Sequence, residues 1–186
     1  MTARILVVCT ANVCRSPMGE ALLRHHLARV GADAVVTSAG TRAAQLPVDP
    51  DAVAALDGLG LDLRAHQPRP ITRDIIRTEG ADLVIAMTRG HLRHVATTDR
   101  QAFARTFTLR EIVRRATLAD RDLPADLAGW VTAVGLDRKA STLLGDDPAD
   151  DVSDPYGSGA VQVRRTADEI DQLTRSLVAM APWPTL

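Results

Sequence analysis

Apolar residues recur along the chain in two alternating periods. Short aliphatic runs at residues 5–8, at 34–36 and within "ADLVIAM" at 81–87 have the length and branching of strands buried on both faces. A fourth run, "RTFTL" at 105–109, predicts another strand. Between them the apolar positions repeat every three to four residues, as on one face of a helix. Ser16 as N-cap with Pro17 in the first turn predicts a helix that Gly31 closes. Asp49 and Pro50 open a short helix ending near Gly58, Thr88 can cap another, and "REIVRRA" continues helically from the fourth strand. Residues 124–144 and 160–180 read as helical, with a loop, "GDDPADDVSDPYGSG", over 145–159. Alternating strands and helices imply an α/β fold: a four-stranded parallel, Rossmann-like sheet with helices on both faces, formed by residues 1–186 as a single domain. In such sheets ligands bind beyond the carboxyl ends of the strands, so the loop after the first strand is the first place to look for chemistry.

Composition narrows the classes. A chain of 186 residues that is 46% hydrophobic can bury one sizeable core. A formal net charge of -1 gives no general basis for binding nucleic acid, whose affinity comes from accumulated positive charge. No apolar run approaches the length of a membrane span, and the expectation is a soluble, cytoplasmic protein. The two cysteines do not make a disulfide framework, which fits free thiols in a reducing compartment.

Both cysteines lie in "RILVVCTANVCRSP", residues 4–17. A disulfide between Cys9 and Cys14 would close a small ring and constrain the unfolded chain little. Zinc wants four ligands, no further cysteine exists, and the histidines (25, 26, 66, 91, 94) show no matching spacing, so no metal is expected. A nucleophile fits better: Cys9 ends a strand, and the following residues curl over a helix N-terminus. Arg15 adds a fixed fork of donors. Backbone N–H groups in such a loop, with the helix dipole, form an anion cradle that also stabilises a thiolate. Asn12 suits a tight loop because Asn tolerates the left-handed backbone. Ser16 could also hydrogen-bond the Cys9 sulfur and ease its later departure.

These residues resemble the low-molecular-weight protein tyrosine phosphatase family, whose phosphate loop is C-x5-R-S and whose general acid lies in a distant Asp-Pro-Tyr motif. "CTANVCRS" at 9–16 and "DPY" at 154–156 match in sequence, order and separation, and "TSAGT" at 37–41 and "ADLVIAM" resemble family segments too. The resemblance implies Cys9 as nucleophile, Arg15 as transition-state clamp and Asp154 as general acid. Thr10, Ala11, Asn12, Val13, Cys14 and Ser16 would form the substrate-binding loop, and Tyr156 would line the cleft mouth and stack on an aryl leaving group. Cys14 corresponds to a second cysteine able to form a reversible disulfide with Cys9. His66 corresponds to a histidine that makes a structural hydrogen bond beside the loop.

The implied reaction is hydrolysis of a phosphotyrosine-containing protein or aryl phosphate through phosphocysteine, with affinity for phosphate-like oxyanions, no cofactor, and a monomer or weak dimer. The sequence departs from the family pattern at Ala11, Thr88 and Gly157, and "TRAAQLP" at 41–47 lacks the aromatic that commonly lines the cleft. Val13 is apolar where a phosphoarginine-specific branch resembles a Thr-bearing pattern. Two alternatives stay open: an arsenate reductase using an external thiol at the same loop, and a phosphate-binding module without turnover. Asp154 also closes a run of five aspartates (146, 147, 150, 151, 154), whose ordinary reading is a solvated acidic loop.

Overall fold

The structure, a computed structural model, describes residues 1–42, 46–119 and 122–185. Residues 43–45, part of the stretch expected to lack a cleft aromatic, lie outside the described residues. Four parallel strands, β1 (Ala3–Cys9), β2 (Ala34–Gly40), β3 (Leu83–Ala86) and β4 (Thr106–Thr108), form one sheet in the order β2-β1-β3-β4. Helices alternate with them: α1 (Arg15–Arg29), α2 (Pro50–Asp57), α3 (Arg73–Thr78), α4 (Arg89–Thr98), α5 (Leu109–Thr117), α6 (Leu127–Val134) and α7 (Ala160–Met180). The four strands stand where the aliphatic runs predict them.

Strand periodicity sends successive side chains of β1 to opposite faces. Ile5, Val7 and Cys9 join Met18 and Leu22 of α1, Ile112 of α5 and Ile170 of α7 in the larger core. Leu6 and Val8 pack on the other face with Ile76 of α3 and Val95 of α4. Both faces are therefore covered, which is why β1 reads as an unbroken apolar run. The strand order reverses at β1, between β2 and β3, so the loop leaving β1 opens into the crevice where such sheets take ligands.

Local signals explain most helix ends. The Asp49 carboxylate accepts from the N–H groups of Asp51 and Ala52 to start α2, Thr88 caps α4, and Thr108 with Glu111 makes a reciprocal capping box on α5. Two expectations are corrected. Ser16 is not the N-cap of α1: the helix begins at Arg15 after Cys14, with no side-chain cap, because the Ser16 hydroxyl is drawn into the loop before it. The helix expected over 124–144 runs only from Leu127 to Val134, followed by a short 3-10 turn at Ala140–Leu143. Gly135 ends it, Asp137 turns with φ 64, and the chain delivers Arg138 to a buried site. There its guanidinium pairs with Glu111, donates to the carbonyls of Phe103 and Thr106, and lies over the Phe107 ring. Among the described residues, no helix is long and apolar enough to cross a membrane.

Candidate active site

Strand β1 delivers Cys9 at its carboxyl end, and residues 10–14 wrap before α1 begins. Every carbonyl around this turn but one has a named donor. Thr41 N–H donates to Cys9 O (2.9 Å), Arg42 N–H to Thr10 O (2.9 Å), Asp49 N–H to Val13 O (2.8 Å) and Met18 N–H to Cys14 O (3.1 Å). His66 Nε2 donates to Asn12 O at 3.0 Å, as the family resemblance implies, and since a carbonyl only accepts, Nε2 carries the proton. Burial, more than any neighbouring charge, holds the His66 imidazole below its usual range. Among the described residues, no hydrogen bond uses a backbone N–H of residues 10–14 as donor. The loop thus spends its carbonyls outward and keeps its N–H groups for an anion, with the uncapped start of α1 behind it.

Asn12 fixes the turn from inside. It is fully buried with φ 60. Its Nδ2 donates to Ser16 Oγ (2.9 Å) and Ser38 Oγ (2.8 Å), and its Oδ1 accepts the Arg69 N–H (3.0 Å). Ser16 Oγ, which accepts from Asn12, also lies 2.9 Å from Cys9 Sγ, where its hydroxyl can donate to a thiolate. Ser38 likewise donates to Glu20 Oε2 at 2.6 Å. Asn12 and Ser16 consequently lie behind the loop, not in the cleft.

Gly40, at the end of β2, touches the loop from outside. A Cβ there would stand 2.7 Å from Thr10 O and 2.9 Å from the Ala11 carbonyl carbon, both backbone atoms that cannot swing away. Gly40→Ala is therefore expected to push the loop aside. It should cost about 10²-fold in kcat/KM on an aryl phosphate and about 1–3 kcal/mol of stability; steady-state kinetics and thermal unfolding check both, and an unaltered kcat/KM would show that the loop is not held at this contact.

The cleft beyond the loop is small, about 110 Å³, and is lined by Cys9, Thr10, Ala11, Val13, Cys14, Arg15, Leu46, Asp154 and Tyr156. Eight of these are residues that the sequence marks; Leu46 is new. A larger hollow of about 590 Å³ lies between α1 and α7, lined by His25, Arg29 and Asp171 among others, and contains neither cysteine. The small cleft is the one with chemistry. Arg15 is 4% exposed and bridges the ends of the chain: Nη1 donates to Val152 O (3.1 Å), and Nη2 donates to Asp154 Oδ2 (2.6 Å) and Thr10 Oγ1 (3.3 Å). Asp154 is half-exposed, with Oδ1 accepting the Tyr156 N–H at 3.3 Å. Tyr156 stands exposed at the rim.

One neighbour of the site, His91, is missed by sequence reading. His91 meets Thr10 Oγ1 through Nε2 and Thr88 Oγ1 through Nδ1, each at 2.9 Å. Burial first, then Arg15 and His94, pushes its pKa down to about 3, so it is neutral at ordinary pH. The neutral ring donates through one nitrogen and accepts through the other, and so links the hydroxyls of Thr10 and Thr88. Only the spacing of His91 three residues after a helix cap hints at this contact. Cys14 is buried and free, as is Cys9. Burial, followed by the charge of Asp49, pushes the Cys14 thiol far up and keeps it protonated. Among the described residues, no cluster of three or more His, Cys, Asp or Glu could hold a metal ion.

The chain is similar in sequence and in fold to known proteins. A Bacillus subtilis (strain 168) protein-arginine-phosphatase is 32% identical over 93% of this chain and 93% of its own. A low molecular weight protein-tyrosine-phosphatase of Streptomyces coelicolor is 38% identical over 67% of this chain and 77% of its own. Among solved structures, a variant of the arginine phosphatase YwlE with a phosphorylated active-site serine superposes with a TM-score of 0.71 at 30% identity, covering 94% of this chain and 93% of that one. The model of the low molecular weight phosphotyrosine protein phosphatases matches residues 4–129, stopping short of Asp154. With a match over more than half its length and a relative alignable almost end to end, this chain belongs to the low molecular weight phosphotyrosine protein phosphatase family.

Proposed function

We propose that residues 1–186 act as one cytoplasmic phosphatase unit that hydrolyses phosphotyrosine in proteins through a phosphocysteine intermediate. One observation carries this reading: Cys9 and Arg15 from the start of the chain and Asp154 from near its end line a single cleft. The Cys9 sulfur attacks phosphorus in line and the bond to the phenolic oxygen breaks. Arg15 and the loop N–H groups hold the three equatorial oxygens, and Asp154 gives its proton to the leaving oxygen. Water then attacks the phosphocysteine, passing a proton to the Asp154 carboxylate as the sulfur–phosphorus bond breaks. The Ser16 hydroxyl, 2.9 Å from Sγ, donates to the departing thiolate. The phosphorylated serine in the related structure supports a covalent intermediate at this position. Membership in a phosphatase family favours this reading over arsenate reduction and over a binding module without turnover.

The cleft wall bears on the leaving group. Val13, Leu46 and the exposed Tyr156 present apolar and aromatic surface, which suits a phenyl ring better than a guanidinium. Phosphoarginine is the second reading, supported by the relative that matches along 93% of the chain. Peptides carrying phosphotyrosine, phosphoarginine or phosphoserine at one position separate the two. Phosphotyrosine is expected to give the highest kcat/KM; preference for phosphoarginine would transfer the assignment to the second reading.

A further inference from the structure

The aspartate run is solvated only in part: Asp146 and Asp154 are exposed, while Asp150 is buried. Asp150 is only 1% exposed. Its Oδ2 accepts from Arg89 Nε at 2.8 Å and lies 2.7 Å from Nη2, while its Oδ1 lies 2.5 Å from Arg114 Nη1. Arg89 also pairs with Asp147 at 2.9 Å, and its backbone N–H, in the first turn of α4, donates to Asp151 Oδ1 at 2.7 Å. A carboxylate this deep persists only because guanidinium groups flank it. Those groups sit on α4 and α5, the helices that follow β3 and β4, so the loop is tied to the frame of the sheet.

Two residues further on, Val152 N–H donates to Met87 O at 2.8 Å and Val152 O accepts from Arg15 at 3.1 Å. Two extended residues reach about 7 Å, so with Asp150 and Val152 fixed, Asp154 has little freedom except over the cleft. Buried ion pairs give little net stability against apolar packing, but they do set register. We propose that Asp150, clamped between Arg89 and Arg114, is a positioning residue that holds Asp154 at the leaving-group oxygen. The proposal rests on the reading of Asp154 as general acid.

The test is leaving-group dependence in the full-length chain. In Asp150→Asn, kcat/KM on phenyl phosphate, which reports the step that expels the leaving group, is expected to fall about 10- to 100-fold, while kcat/KM on p-nitrophenyl phosphate, whose leaving group needs little protonation, falls no more than about threefold. Arg114→Gln should show the same pattern more weakly and Arg114→Lys should restore it; if Asp150→Asn does not fold, this partly exposed arginine carries the test. In an Asp154→Ala background, Asp150→Asn should add nothing, because the group it positions is gone. Equal losses on both substrates, or a further loss in that background, would overturn the clamp. If Asp154→Ala itself shows no leaving-group dependence, the general-acid reading fails instead; if it does and Asp150→Asn does not, only the clamp fails.

Discussion

Cys9→Ser is expected to lose at least about 10⁴-fold in kcat, on good and poor leaving groups alike, while the protein stays folded. The exchange removes the reactive nucleophile of the cleft, since the Cys14 thiol is held protonated. A serine there would need a general base, and the histidines nearby are committed elsewhere. His66 Nε2 donates to Asn12 O and His91 is bonded between Thr10 and Thr88, so neither is directed at position 9. The loop itself should survive, because it is held by the Asn12 side chain and by donors from β2, His66 and α2, none of which involves the sulfur. Turnover by the Cys9→Ser protein within tenfold of the parent would remove Cys9 from the reaction; intact circular dichroism with retained binding of inorganic phosphate would show that only the nucleophile was lost.

The strands and the loop were legible because their signals are local. Residues 5–8 read as a strand since both faces are buried, and Asn12 marks a left-handed turn by its own backbone tolerance. The same logic misplaces Ser16. A serine before a proline and an apolar run is an ordinary N-cap, and only the tertiary demand of Asn12 and Cys9 for a hydroxyl moves it inside the first turn. The helix over 124–144 failed for a related reason: the periodicity is real, but Arg138 has to leave the helix to reach Glu111 across the fold. Asp150 is the clearest case. Nothing within the run distinguishes it from its four neighbours, because its burial is made by arginines 61 and 36 residues away.

The site follows the same division. The nucleophile and its clamp lie within one motif and were readable together, whereas the contacts that hold the loop come from β2, from His66 and from α4. Gly40 shows the limit: a glycine in "TSAGT" announces a tight place, but only the fold shows that the tight place is the backbone of the phosphate loop.

Asp154→Ala is expected to act in two opposite directions. The kcat/KM on phenyl phosphate should fall about 10²–10⁴-fold, with a smaller loss on p-nitrophenyl phosphate, because the phenolate of the poor leaving group departs unprotonated. Oxyanion binding should instead tighten. The Asp154 carboxylate lies 2.6 Å from Arg15 Nη2, on the guanidinium that has to receive the phosphate, so a substrate first displaces an internal competitor of the same charge. Arg15 is buried but Asp154 is half-exposed, and water screens the pair to about 0–1 kcal/mol. Its removal should lower the inhibition constants of vanadate and phosphate about two- to fivefold. The remaining donors to Val152 O and Thr10 Oγ1 keep the guanidinium aimed while the carboxylate is gone. Weaker vanadate binding in the variant would mean that the carboxylate orients Arg15 more than it competes for it, and the sign of that change separates the two roles in one measurement.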